Sequence, residues 1–315
     1  MTGGRILVFG GTDLTAVVLA RLNECGMPAA GLVTIADTFK ISYASGQMTN
    51  ARHVDLSGAI APGTPVLVST DNAHIEEFVR GRGFDVALVA GWYHLVPRRV
   101  RELFSLGCFG LHASLLPKLR GGAPLNWAIL NGDKSTGVSF FELTDGVDDG
   151  PLIGQAEFLI DAEDNIADLV AKSQAATRAL VGNFAAQLKA GQIQRVEQVG
   201  APSYCLQRFP EDGRIDWTRP AVEIERLVRA VTKPYPGAFS VINSQRVFFW
   251  SAKTFNGAVV HGSPGQLTTL PQSAGIVIVT GDGALELCDA TDENSADVLP
   301  FLRTQRNKKF DERAI

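Results

Sequence analysis

One histidine and a short run of carboxylates are the clearest chemical ingredients in the chain. His112 stands in a turn of small residues, and a second, glycine-bounded turn further on gathers Asp145, Asp148 and Asp149. Imidazole ordinarily titrates near neutral pH, so it can take and return a proton there. A carboxylate beside it fixes the ring's orientation and steadies its positive charge. Such a pair suits reactions in which a proton leaves an attacking atom and reaches a departing one. Read from the residues alone, a single loop histidine is as compatible with a structural role.

Elements on either side of this stretch are arranged to position it. Residues 5–10 (RILVFG) form a continuous apolar run ending in Gly10-Gly11-Thr12, and helical spacing follows over 14–22. Strand, glycine turn and helix open a doubly wound sheet. The turn is not G-x-G-x-x-G, which excludes a dinucleotide fingerprint. The main-chain N–H groups of residues 10–13 at the helix start are candidates for a substrate phosphate. Strands are expected over 29–34, 65–68 and 85–90, and helices over 73–82 and 98–105. The segment 36–58 lacks periodicity, and its Lys40, Tyr43, Asn50, Arg52 and His53 offer polar and aromatic groups to a substrate.

Beyond the histidine, residues 123–130 with Trp127 read as a helix, 137–142 as a strand and 152–160 as its alternating partner. Ile166, Leu169, Val170, Leu180, Val181, Phe184 and Leu188 lie on one helical face that ends at Gly191. Residues 192–206 have few apolar side chains and read as a linker. A helix over 220–231 and short strands over 246–251, 265–269, 275–279 and 284–288 then predict a small β-barrel. The expected organisation is a domain over 1–191, a linker over 192–206 and a second domain over 207–315.

The spelling of the central stretch resembles the folate-dependent formyltransferase family, whose motif N-x-H-x-S-L-L-P is followed by D-x-x-x-D-x-G. Here the first half stands as Gly110-Leu111-His112-Ala113-Ser114-Leu115-Leu116-Pro117, and the second as Asp145-Gly146-Val147-Asp148-Asp149-Gly150, with its two motif aspartates three residues apart where the family has four. The signatures G-R-I-D-W (213–217) and P-x-P-G-A-F (234–239) extend the likeness over nearly the whole chain. The resemblance implies a Rossmann-like, mostly parallel sheet followed by an OB-like barrel. It also implies 10-formyltetrahydrofolate as formyl donor, with His112 and Asp148 as the acid–base residues. The donor's pterin is then expected along Gly91, Trp92, Tyr93, His94, Leu95 and Val96, with Ser114, Leu115, Leu116, Pro117, Val138, Asp145 and Asp148 completing its site. Gly10, Gly11, Thr12 and Asn126 are expected on the acceptor side. Where the family has asparagine, an oxyanion donor, this chain has Gly110. Asn126, Ser114 or a main-chain N–H is the expected substitute.

Composition narrows the acceptor. The chain has 315 residues and a formal net charge of −4. Its one basic cluster, Arg303, Arg306, Lys308 and Lys309, is interrupted downstream by Asp311 and Glu312 and reads as a solvated tail. A protein built around nucleic acid normally carries a basic stripe, so a small amine is the expected partner. Residues 123–127 (APLNW) and 235–239 (YPGAF) resemble the formyltransferases of nucleotide-linked amino sugars, which makes those acceptors one class in view, with siderophore or natural-product amines the other. Methionyl-tRNA remains the alternative acceptor, and a folate hydrolase or a non-catalytic folate-binding module are alternatives of other kinds. Cys25, Cys108, Cys205 and Cys288 lack metal-ligand spacing. With no apolar span or leader evident, a cytoplasmic setting without membrane contact is expected, and a homodimer is compatible with it.

Overall fold

The computed structural model describes residues 4–40 and 47–311; Tyr43 lies outside them. Five strands, β1 (Ile6–Phe9), β2 (Gly31–Thr34), β5 (Val66–Val68), β6 (Val86–Val89) and β7 (Gly107–His112), pair in parallel. Between β2 and β5 a separate hairpin joins β3 (Thr38–Lys40) and β4 (Gln47–Thr49). Strands β9 (Ser135–Glu142) and β10 (Leu152–Leu159) extend the main sheet antiparallel, giving the order β10-β9-β7-β6-β1-β2-β5.

Both faces of this sheet are covered, which is why its central strands are apolar throughout. One face packs Ile6, Val8 and Val86 against helix α1 (Asp13–Glu24) and the Leu180–Val181–Phe184 stretch of helix α5 (Ile166–Ala190). The other packs Leu7, Phe9 and Ala87 against helix α2 (Asn72–Arg80) and the segment of helix α3 (Arg98–Arg101) that continues to Phe104. Asp71 caps α2 by accepting the N–H groups of Ala73 and His74. The parallel strands deliver their C-terminal ends, and so Gly10, Gly91 and His112, to one edge of the sheet. Ligands of doubly wound sheets bind at such an edge.

The chain divides into two compact units. The second contains Leu125–Lys134, Ile160–Val170 and the residues from Gln207 onward. Thus most of helix α4 (Pro124–Asn131) and the first turn of α5 cluster with it. Its antiparallel sheet runs β12-β13-β16-β15-β14, formed by Ala238–Ile242, Gln245–Thr254, Ala284–Thr291, Ile276–Val279 and Leu267–Thr268 respectively. Helix α6 (Ala221–Val231) lies on this half-barrel and α7 (Leu299–Thr304) follows it. Trp217 stacks on Phe310 at 5.2 Å between centroids and meets Phe249 at 5.6 Å, while its indole N–H donates to Ser240 Oγ. The G-R-I-D-W and P-x-P-G-A-F signatures meet here: Ile215 N–H donates to Phe239 O, and a Cβ on Gly213 would lie 2.5 Å from Gly237 O.

Two stretches differ from the expectation in informative ways. The basic end of the chain is not a free tail, because Phe310 is fully buried and Lys308 O accepts from Leu267 N–H. Its lysines remain exposed, so charge alone concealed an anchored backbone. The stretch 192–206 makes backbone ties within the first unit. Val196 pairs with Leu152, and strand β11 (Tyr204–Cys205) pairs in parallel with β8 (Arg120–Gly121). Main-chain pairing of this kind needs no apolar side chains, hence the weak pattern. No helix of the described residues is long and apolar enough to cross a membrane.

Candidate active site

His112 ends β7 and is 8% exposed. Its two ring nitrogens face different loops. Nε2 lies 2.6 Å from the carbonyl oxygen of Leu119, and Nδ1 lies 3.4 Å from Asp148 Oδ2. A carbonyl only accepts, so Nε2 carries hydrogen and Nδ1 is the nitrogen turned toward the carboxylate. The carboxylate stands where a proton arriving at Nδ1 would put positive charge. The 3.4 Å separation exceeds a made hydrogen bond, and contacts of this type tighten when a substrate closes the site. Asp148 Oδ2 is itself held by the N–H of Gly121 at 2.8 Å.

Both residues that face the imidazole have left-handed backbones. Leu119 has φ +55° and Asp148 φ +49°. This region is sterically costly for a residue with a Cβ, by ~1–3 kcal/mol each, and survives only where the surroundings impose it. The S-L-L-P turn is similarly fixed. Ser114 Oγ donates to Lys118 O, Ser139 Oγ donates to Ser114 O, and Gln155 Nε2 donates to both Leu116 O and Ser139 Oγ. Leu116 N–H completes the group by donating to Ser139 Oγ. Ser114 and Leu116 are buried, Leu115 packs over Gly137, and Val138 lies inside the sheet core.

Gly110 is filled from outside. A Cβ there would lie 2.8 Å from Leu143 Cδ2 and 3.2 Å from Phe141 Cε1, so these side chains occupy the room an asparagine would use. Neither side chain expected to replace that asparagine is free. Asn126, in the second unit, is 4% exposed and donates its amide to Ala230 O at 2.6 Å, and Ser114 is bonded as above. His112 and main-chain N–H groups are the remaining donors.

The loop after β6 begins at Gly91, with φ +68°. A Cβ there would lie 1.9 Å from Thr12 Oγ1, so only glycine lets this loop lie on the first turn. Trp92 contacts Phe9 and His94, Tyr93 contacts Phe39, and Leu95 is 83% exposed. Main-chain N–H groups of His94, Leu95 and Val96 meet no acceptor among the described residues. Free polar backbone along a loop at the strand ends suits recognition of a heterocycle edge. Burial holds the His94 imidazole below its ordinary pKa, and its Nε2 has no hydrogen-bond partner among the described residues. Asp145 is 67% exposed and ion-paired to Arg101 and Arg98, facing solvent rather than His112.

The Gly10–Asp13 turn corrects one expectation. Each of the four N–H groups proposed for a phosphate already has a protein acceptor: Val33 O, Gly91 O, Thr15 Oγ1 and Arg52 O in order. Asp13 also places a carboxylate at the helix start, paired with Arg52 at 2.7 Å and with Gln174 Nε2 at 2.9 Å. Instead, the buried Thr12 hydroxyl has no hydrogen-bond partner among the described residues. Asn50 joins the neighbouring loops, donating to Gly11 O and accepting from Tyr93 OH. Arg52 and His53 lie against the same turn. Sequence reasoning passed over Leu119, Gly121, Gln198, Ser203 and Cys205, whose contributions are largely backbone or come from the expected linker.

A mostly parallel sheet with a buried histidine facing a half-buried aspartate at its ligand edge, followed by an antiparallel half-barrel, is the formyltransferase fold. The chain belongs to the formyl transferase family: residues 5–182 match its family model, and residues 208–304 match that of its C-terminal domain. It is an N-formyltransferase of a family that uses 10-formyltetrahydrofolate. Among curated proteins it is 30% identical over 286 residues to a methionyl-tRNA formyltransferase of Agathobacter rectalis, spanning 90% of this chain and 91% of that one. Among solved structures, HypX from Aquifex aeolicus in complex with tetrahydrofolic acid matches with a TM-score of 0.66 at 17% identity, covering 94% of this chain. The chain spans about half of that protein, 45% of its length. The N-formyltransferase from Helicobacter canadensis, in complex with folinic acid and dTDP-3-aminofucose, matches at 0.63 and 17% identity over 90% of this chain and 98% of its own. These structural likenesses speak for the fold.

Proposed function

We propose that the chain formylates the amine of a small molecule, with a nucleotide-linked amino sugar as the first candidate, and that His112 and Asp148 move the proton. The observation that carries this reading is the division of the imidazole between Leu119 O at Nε2 and the Asp148 carboxylate at Nδ1. The donor brings a formyl carbon already attached to nitrogen. His112 takes at Nδ1 the proton that the acceptor amine sheds on attack and returns it to the nitrogen that departs. Asp148 stabilises the imidazolium between those two events. With glycine at 110, His112 and backbone N–H groups are the candidates to stabilise charge on the formyl oxygen. The 91–97 loop would hold the donor through its free main-chain groups, and the Thr12 hydroxyl offers an unused donor toward a ligand.

The net charge of −4 and the sugar N-formyltransferase architecture of the Helicobacter canadensis neighbour support a small acceptor. A second reading, transfer to methionyl-tRNA, is favoured by the Agathobacter rectalis relative. We take residues 1–191 as the catalytic domain and 207–315 as the accessory one, and place the protein in the reducing cytoplasm that its four free cysteines suit. The deciding assay follows tetrahydrofolate release from 10-formyltetrahydrofolate in parallel reactions. One has no acceptor, one has charged initiator tRNA, and others have nucleotide-linked amino sugars and plain or hydroxylated diamino acids. Release only with a small amine is expected. Release only with tRNA selects the second reading, and release without acceptor identifies a hydrolase.

A further inference from the structure

We propose that residues 198–205 form a strap that fixes the geometry of His112 and Asp148, with Gln198 and Ser203 as positioning residues. The inference rests on reading His112 and Asp148 as the acid–base pair. The strap reaches both loops that face the imidazole. On the Nε2 side, Leu119 N–H donates to Ser203 Oγ at 2.9 Å, and Arg120 N–H to Ser203 O at 2.9 Å. Ser203 N–H in turn donates to Pro117 O, and Gly122 N–H to Cys205 O. The Cys205 thiol donates to Leu119 O at 3.3 Å, the oxygen that also receives His112 Nε2–H. Burial pushes that thiol's pKa up to about 11, which keeps it a neutral donor at physiological pH.

On the Nδ1 side, Gln198 Nε2 donates to the carbonyl oxygens of Asp148 and Gly150, each at 2.8 Å. Its Oε1 accepts from Arg120 Nη2 at 2.7 Å. One amide therefore joins the residue after Leu119 to the backbone of Asp148. Gly121, whose N–H holds the Asp148 carboxylate, lies between these attachments, and a Cβ on it would meet Cys205 O at 2.4 Å. Leu119 and Asp148 are the two left-handed, non-glycine residues that face the ring. Such conformations persist only when neighbouring contacts over-determine them, and the strap supplies those contacts to both.

A strap that merely joined structural pieces would leave the imidazole alone when cut at one side chain. The test is nitrogen NMR of histidine-labelled full-length protein, with the His112 signals assigned by their loss in His112→Ala. The variants are Gln198→Ala, Ser203→Ala and Ser203→Thr, and donor-site integrity is read by titration with 5-formyltetrahydrofolate. Gln198→Ala is expected to move both His112 ring-nitrogen shifts toward the averaged values of free imidazole, with 5-formyltetrahydrofolate affinity unchanged. Ser203→Ala moves them in the same sense, and Ser203→Thr, which keeps the hydroxyl, restores them. In the acceptor panel, Gln198→Ala should lower kcat by ~10–10²-fold, the scale of a misplacement of about 1 Å.

Unchanged His112 shifts in Gln198→Ala overturn the proposal, as does a loss confined to folate affinity. Should Gln198→Ala not fold, the Ser203 pair decides, and failure of threonine to rescue alanine counts against the strap. Retained turnover in His112→Ala would instead remove the acid–base reading. The ring-nitrogen shifts would still report whether the strap orients the ring.

Discussion

Two neighbourhoods of the first unit handle buried polar groups in opposite ways. Around His112 most polar groups are already held: Nε2 meets Leu119 O, Asp148 Oδ2 has a backbone donor, and the S-L-L-P turn is bonded through Ser114, Ser139 and Gln155. Nδ1 is left 3.4 Å from Asp148, and Arg120 Nε is the buried exception. Around Gly10–Thr12 the main-chain N–H groups are taken, whereas those of His94, Leu95 and Val96 in the 91–97 loop and several side-chain groups nearby meet no acceptor among the described residues. Among the described residues, Thr12 Oγ1, Arg52 Nε and His94 Nε2 are buried without hydrogen-bond partners. A buried unpaired group costs ~1–3 kcal/mol, so an unpaired set is tolerated where something else meets it. The contrast separates two duties. A proton-moving pair must be oriented before substrates arrive, whereas a binding surface keeps donors in reserve.

The largest expected effect breaks the held side. His112→Ala should reduce turnover by ~10²–10⁴-fold, the usual worth of a positioned acid–base group. Folding should persist, as checked by thermal melting. Asp148→Asn is more discriminating. Asparagine tolerates the left-handed backbone and still accepts the Gly121 N–H, so stability should change by no more than about 1 kcal/mol. Turnover should nonetheless fall ~10²-fold, because the charge opposite Nδ1 is gone. Near-normal turnover in Asp148→Asn would mean that the carboxylate only orients the loop.

A smaller effect is expected at Gly110. Introducing the family's asparagine, Gly110→Asn, forces Leu143 and Phe141 aside and should destabilise by ~1–3 kcal/mol, the usual penalty of overpacking. Combining it with Leu143→Ala reopens the space. Denaturant midpoints of the single and double variants measure the relief. A Gly110→Asn protein as stable as the parent would show that the strand end yields more readily than its packing implies.

Much of this was legible in the chain itself. The apolar runs behind β1, β2 and β6, and the helical face of α5, follow from periodicities that need only local sequence. His112 and Asp148 stand close together, as the resemblance of their motifs implied. What escaped is nonlocal and carried by the main chain. Arg120 pairs with Tyr204 across 84 residues of sequence, and no spacing rule announces that a polar segment will thread beside a turn. Asn126 sits beside the motif in sequence, yet its amide belongs to Ala230 in the second unit. The phosphate expectation at Gly10–Asp13 failed for the same reason. A glycine turn at a helix start was recognisable, but whether its N–H groups were already occupied depended on Val33, Gly91 and Arg52.

The reserve side is sharpened by two milder changes. Thr12→Val keeps shape and removes a hydroxyl that has no partner, so stability should hold or rise by up to ~1 kcal/mol. If the hydroxyl serves a ligand, KM for donor or acceptor should rise with kcat little changed, since the interaction is equal in ground and transition states. Unaltered KM values for both would make Thr12 a packing residue.

His94 offers the gentlest probe, because burial disfavours its charged form. With the folded pKa below the unfolded value of ~6.5, the unfolded chain binds the proton first as pH falls. Stability should therefore be complete above about pH 6.5 and decline as pH drops through that value toward the folded pKa. His94→Gln cannot titrate, so the difference in unfolding free energy between variant and parent should change with pH only in that acidic window. The difference cancels the contributions of the other histidines. A ligand that closes over His94 keeps the proton from the folded state alone and leaves the unfolded chain free to bind it, so donor binding should deepen the acid slope of the parent. An acid slope left unchanged by saturating 5-formyltetrahydrofolate would place His94 outside the surface the donor covers, and its Nε2, unpartnered among the described residues, would then belong to the scaffold of the loop.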